Sequence, residues 1–228
     1  MPVDRPADGS LAERLAHVRW IAGGTGTGKS TVTALLARDH AVTVYDGDRG
    51  EAGYAHRATP ERQPLLHGLV TRTPTEKWLE PTPEEVFAAM PSLHGETFPF
   101  VVEDLLALPA DRPVLVDDFR VLPREVAPLL PRPEFAAFLL PTSEFRRQAL
   151  GRRYADPDRA RANWGDADPA VMLERRLARD ALWDAEVRHQ ATALGLPVVE
   201  VDGRIGPETL AARLATAFAL PGREPAGS

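Results

Sequence analysis

"VRWIAGGTGTGKSTVTALLARDH", residues 18–40, decides the fold. Its first six residues are an apolar run that stops in glycines, the pattern of a buried strand feeding a turn. From Lys29 to Arg38 the spacing becomes helical, with Val32, Leu35 and Leu36 as an inward stripe. Between the two, Gly23-Gly24-Thr25-Gly26-Thr27-Gly28-Lys29-Ser30 meets the spacing G-x4-G-K-[ST] in full. Glycines let the backbone curl with its N–H groups inward, and no Cβ blocks close approach of phosphate oxygens. The start of the helix, Thr31 included, adds partial positive charge. Lys29 has the reach for the β- and γ-phosphates of a nucleotide, and the Ser30 hydroxyl suits a Mg²⁺ coordination position.

Composition narrows what such a loop serves. At 228 residues the chain fits a single domain, 1–228, with room for a small lid or inserted subdomain. Its formal charge is −6 and no basic tract rises above the general arginine background, which argues against a nucleic acid or an anionic membrane as partner. The absence of cysteine excludes disulfides, thiolate zinc and cysteine nucleophiles. The stretch MPVDRPADGSLAERLAHVRW has no apolar signal-peptide core, and no run of 18 apolar residues occurs, so a soluble cytoplasmic protein is expected. Of 27 basic residues only Lys29 and Lys77 are lysines, so the loop lysine stands out against an arginine background.

Outward from the loop, strands and helices alternate. Ser10 and Glu13 are spaced as a capping box for a short helix over 10–17. AVTVYDGD (41–48), PVLVDDF (113–119), EFAAFLLPT (134–142) and LPVVEVDG (196–203) read as further strands. Helices are predicted at 82 onward, where Thr82-Pro83-Glu84-Glu85 is another capping box, at 98–108, from Ser143, over 170–194 and over 207–220. Leu173, Leu177, Ala181 and Ala185 are the expected inward stripe of the long one. Residues 151–169 read as a polar loop rich in turn formers, and the tail after Pro221 as loose. Alternation of this kind implies βαβ units, a five-stranded parallel sheet and a three-layer α/β/α fold.

Several polar residues fall where chemistry is expected. Asp117 and Asp118 close an apolar strand; Asp117, the first residue after the run, is the favoured Mg²⁺ carboxylate beside Ser30. Asp46 and Asp48 end the second strand on the same edge of the sheet as the loop, and either could take a proton from an attacking hydroxyl. Segment 143–176 holds eight arginines offset by six acids, the composition of an exposed helical surface or of a small lid that carries cations to transferring phosphate. The six histidines show no metal-ligand spacing, and only His56 and His67 are candidate substrate contacts. Trp78 and Trp164, in turn-rich segments, either cap a small core or stack on a ligand.

These motifs resemble the nucleoside-monophosphate-kinase-like group of P-loop kinases, which also includes shikimate, gluconate and adenylylsulfate kinases and some antibiotic phosphotransferases. GGTGTGKST is the shared anchor. VLVDDFRVLPRE (114–125) is similar to the segment L-x-D-G-F-P-R-T-x-x-Q, with Arg120 and Arg124 displaced from its arginine. ADPAVMLERRLARD (167–180) resembles the start of the helix after the lid, which implies a transition-state role for Arg176 with Arg175 close by. YDGDR (45–49) is similar to D-G-D-x-[VI]-R of adenylylsulfate kinases, and VVEVDG to the last strand and its adenine-side loop at Asp202 and Gly203.

The expected function is ATP- and Mg²⁺-dependent transfer of a γ-phosphoryl group to a hydroxyl of a small-molecule acceptor, by a monomer or homodimer with a P-loop NTPase fold. Lys29, Asp46, Asp48, Arg152, Arg153 and Arg176 are its catalytic candidates, residues 23–31 the nucleotide loop, and 50–112 an acceptor-binding insertion. A nucleoside-monophosphate kinase is one alternative, with Arg49, Arg57, Arg62 and Arg72 available for an acceptor phosphate. A slowly hydrolysing or non-catalytic nucleotide-binding regulator is another. The guanine-reading motif Asn-Lys-x-Asp is missing, since Asn163 is the sole asparagine.

Overall fold

Side chains along the central strands are buried without interruption and point to alternate faces of the sheet, which builds three layers. The computed structural model describes residues 9–222; from residue 223 the tail predicted to be loose lies outside them. Five parallel strands, β1 (Val18–Gly23), β2 (Thr43–Asp46), β3 (Val114–Asp117), β4 (Ala136–Pro141) and β5 (Val198–Val201), form one sheet in the order β2-β3-β1-β4-β5. Trp20, Ala22, Val114, Val116, Ala136, Phe138 and Leu140 point to one face, and Ile21, Leu115, Ala137 and Leu139 to the other. Such double-sided burial is what a parallel sheet with helices on both faces requires.

The chain enters through α1 (Leu11–Arg14), whose capping box joins Ser10 and Glu13 and which is shorter than its predicted span of 10–17. On one face lie α2 (Lys29–Asp39) and, at the far end of the chain, a helix over Pro207–Ala217, sealed by Val32, Leu36, Leu210, Leu214 and Phe218. The opposite face is covered by helices of the middle of the chain. After β2 come α3 (Gly47–Arg57) and α4 (Pro64–Val70), a π turn at Thr75–Leu79, and α5 (Pro83–Ala88). Next come α6 (Phe98–Ala107) before β3 and α7 (Pro123–Val126) after it. Beyond β4 follow α8 (Ser143–Tyr154), α9 (Pro157–Trp164) and α10 (Pro169–Ala193), and α11 is the last helix, Pro207–Ala217. Tyr54, Phe100, Leu105, Val126, Trp183 and Val187 are the principal side chains these helices press onto the sheet. No helix among the described residues is long and apolar enough to cross a membrane.

Three features differ from the sequence reading. Residues 151–169 are mostly helical, because each Asp-Pro pair there starts a helix: Asp156 caps α9 and Asp168 caps α10, with proline in the first turn. Ala160 and Trp164 then pack on Leu150, Tyr154 and Met172, forming a small separate core. The second strand stops at Asp46, which accepts from the Arg49 amide and caps α3, so Asp48 belongs to a helix rather than to the strand end. Along α10 the inward stripe is Met172, Arg179, Asp180, Trp183, Val187 and Gln190, while Ala181 and Ala185 face solvent. The bulky Trp183 and Val187 out-compete alanine for the core, since burial gain scales with apolar area.

Two predictions follow from this framework. Gly23 has φ +108°, and a Cβ there would lie 2.4 Å from the Leu139 carbonyl oxygen of β4. Gly23→Ala is expected to cost about 2–4 kcal/mol of stability, read as a lower urea midpoint at unchanged slope. Glu125 accepts from the Leu122 amide, and burial pushes its carboxyl up to about 7 from an ordinary 4.5. The folded state therefore holds more protons than the unfolded chain between those values, so stability falls as pH rises from 4.5 to 7. Glu125→Gln should remove a decline of roughly 1–3 kcal/mol across that window, measured by urea unfolding at each pH.

Candidate active site

The loop after β1 is shaped by left-handed glycines. Gly26 and Gly28 have φ near +80°, and Gly28 is the N-cap of α2. Its turn brings Lys29 back across the loop, where the buried Nζ donates to the Gly24 carbonyl at 2.6 Å, and Thr27 Oγ1 donates to the same carbonyl at 3.1 Å. Gly24 itself has no room for a side chain, because a Cβ would come within 2.6 Å of Asp184 Oδ1 and 2.7 Å of Pro141. Desolvation lowers the Lys29 pKa; Asp117, Asp118, Asp48 and Asp184 around it oppose that shift.

Sheet register brings the acids to this edge. Asp117 pairs with Ile21 on one side and Asp46 on the other, and the Ser30 hydroxyl bonds its carboxylate. Burial raises the pKa of Asp117, with the Ser30 bond and Lys29 acting against it. Asp118 is more deeply buried and also raised by burial, chiefly opposed by Arg120. Arg120 is buried too, and its Nη1 bonds Asp118 Oδ1 at 2.9 Å and Asp48 Oδ1 at 3.0 Å. One guanidinium therefore ties the end of β3 to the first turn of α3. Gly47 makes this approach possible, since a Cβ there would overlap the Asp118 carboxylate. A cleft of about 530 Å³ results, bounded by Thr25 to Thr31, Asp48, Asp117, Asp118, Phe119 and Arg153.

A larger cleft of about 1730 Å³ opens beside it and shares Thr25, Asp48, Phe119 and Arg153 with it. Its walls come from α3 and α4 (Ala55, Leu66, Leu69), the π turn (Lys77, Trp78), α8 and α9 (Tyr154, Arg159, Asn163) and α10 (Arg176, Arg179). Residues between 55 and 78 thus supply one wall and residues between 153 and 179 the other. Arg153 faces both clefts, whereas Arg152 is exposed and lines neither. Arg176 donates to the Tyr154 hydroxyl at 3.0 Å and lies 3.6 Å from Asp180. Arg175 turns away to the Trp78 and Pro81 carbonyls, and Arg124 to the Leu93 carbonyl. Asp46 lines neither cleft and serves as the α3 cap. His56 and His67 are exposed and also line neither, while Trp164 is buried against Tyr154 at 4.1 Å between ring centroids.

The sequence reading gave no role to Arg179, Asp180 or Asp184, and counted Arg146 only among the eight arginines of a possible lid. Arg179 pairs with Asp180 at 2.5 Å, and Arg146 with Asp184 beneath Gly24. Their signal was present: 172, 176, 179–180, 183–184 and 187 recur at helical spacing, so charged residues share a stripe with Met172, Trp183 and Val187. Among the described residues no group of three or more His, Cys, Asp or Glu is arranged to hold a metal by itself. Ser30 with Asp117 instead offers one hydroxyl and one carboxylate, a donor set suited to Mg²⁺ that also takes phosphate oxygens and water.

No protein-family model matches the sequence, and no curated protein matches it. Among solved structures, the chain is similar to TT1252 from Thermus thermophilus, with 20% identity over 90% of this chain and 98% of that chain, at a TM-score of 0.48.

The Arg120 bridge generates a further prediction. Arg120→Leu leaves the Asp118 carboxylate buried without its counter-charge and should cost about 3–5 kcal/mol. Adding Asp118→Asn should recover part of that loss, because a neutral amide needs no cation; chemical denaturation of both variants measures it.

Proposed function

We propose that the protein is an ATP- and Mg²⁺-dependent phosphotransferase that moves the γ-phosphoryl group to a hydroxyl of a small-molecule acceptor. The observation that carries this reading is the position of Asp48, the one carboxylate lining both clefts, held by Arg120 through Oδ1. Its Oδ2 is left to accept a proton.

In this reading the loop amides and Lys29 hold the triphosphate, and Ser30 with Asp117 would hold Mg²⁺. A bound Mg²⁺ supplies charge neutralisation across the phosphates. The acceptor hydroxyl approaches from the larger cleft. Its oxygen forms a bond to the γ-phosphorus, the bond from that phosphorus to the β–γ bridging oxygen breaks, and ADP leaves. The hydroxyl proton passes to Asp48. Arg153, which borders both clefts, and Arg176 answer the charge on the transferring group. The protein would act on small molecules in the cytoplasm, as a monomer or homodimer.

An ADP-release assay over hydroxyl-bearing acceptors tests this. Lys29→Ala should lower kcat by about 10²–10³-fold, the effect of removing one electrostatic donor. Asp48→Asn should lower kcat by about 10²–10⁴-fold while nucleotide binding persists. ADP release that no acceptor stimulates in the unaltered protein would count against transfer.

A further inference from the structure

Charge is unevenly distributed in the larger cleft. Where it meets the loop, Asp48 and Asp118 face Arg120, Arg153 and Lys29. Away from the loop the wall is cationic. Lys77, Arg159, Arg176 and Arg179 all line the larger cleft and none lines the loop cleft. Asp180 is the carboxylate within reach of this group, and Arg176 and Arg179 share it at 3.6 and 2.5 Å. Lys77 and Arg159 have no ion-pair partner among the described residues. Four cations thus face one carboxylate.

Arg179 is the most constrained of the four. It is 6% exposed, its Nε has no hydrogen-bond partner, and its guanidinium lies 5.6 Å over the Trp78 ring. The Trp78 segment is itself fixed, since Arg175 donates to the Trp78 and Pro81 carbonyls. Asp180 answers Arg179, yet the Arg179 Nε stays idle, and Lys77 and Arg159 line the same cleft without a carboxylate partner among the described residues, a surplus of positive charge that an anionic ligand would offset. A planar fork of donors matches a carboxylate or phosphate. Lys77 is also one of only two lysines in an arginine-rich chain.

We infer that the acceptor is an organic oxyanion, its carboxylate or phosphate held by Lys77, Arg159 and Arg179 while its hydroxyl meets Asp48; this rests on the phosphotransfer reading above. The anion anchors one end of the molecule, and the transfer takes place at the other. Neutral polyols fit the volume of the cleft but leave its cations unanswered.

Matched acceptors test the inference on the full chain with Mg²⁺ and ATP: a sugar acid against its parent sugar, and a sugar or nucleoside phosphate against the unphosphorylated compound. The anionic member of at least one pair should stimulate ADP release, and which pair responds tells carboxylate from phosphate. Lys77→Ala should raise KM for that acceptor about 10- to 100-fold, with the loss in KM rather than kcat, and Lys77→Arg should restore much of it. Arg159→Ala, at an exposed position, serves as the second variant should Arg179→Gln fail to fold. Thermal protection by inorganic phosphate and by citrate gives a readout without catalysis, and Lys77→Ala should diminish it. Neutral acceptors that perform as well as their anionic partners would overturn the inference and leave phosphotransfer standing. Oxyanion protection through Lys77 without any stimulated ADP release would support the anion site and sink the transfer reading instead.

Discussion

Complete burial of β1 is the constraint on which the rest of the molecule depends. All six residues from Val18 to Gly23 are enclosed, with β3 on one edge, β4 on the other and helices above and below. A strand so enclosed has no freedom to shift register, because a slip of one residue would exchange Trp20 with Ile21 across the sheet. Its exit is equally fixed, since Gly23 lies against the Leu139 backbone. The loop, Lys29 and the start of α2 therefore inherit their positions from the core, with little left to local preference.

Charge follows the same logic of enclosure. Three carboxylates at the C-terminal edge of the sheet are buried or half-buried, and each has a cation or a hydroxyl to answer it: Asp118 has Arg120, Asp184 has Arg146, and Asp117 has Ser30 with Lys29 nearby. Such pairs contribute little net stability and lose much when one partner is removed. Their value lies in placing polar atoms without slack, as the proposed phosphotransfer would require.

The sheet and the loop were legible because their information is local. Apolar runs of strand length, the glycine spacing and the capping boxes at Ser10 and Thr82 can each be read within a few residues. Residues 50–112 and 151–169 resisted for a shared reason. Prolines that look like loop punctuation serve as first-turn residues of α4, α5, α6, α9 and α10, where a missing amide donor costs nothing. Arg179, Asp180 and Asp184 were hidden for another. Charge on the inner stripe of a helix makes sense only once a cleft and opposing charges from α8 and the π turn are in place, and these come from residues up to about a hundred positions away. Asp46 and Asp48 looked equivalent along the chain; only the turn into α3 makes one a cap and the other a wall of the cleft.

Helix α10 carries Arg176 and Arg179 on one rigid rod of 25 residues, and Arg175 fastens the Trp78 segment to the same rod. The two arginines stand three positions apart on the helix, a rise of about 4.5 Å that thermal motion barely alters. In the proposed reaction one of them answers the moving phosphoryl group and the other the tethered end of the acceptor. The helix then works as a ruler: it measures the span between the anion and the reacting hydroxyl, and molecules of the wrong length are excluded by arithmetic of the backbone before any contact is tested.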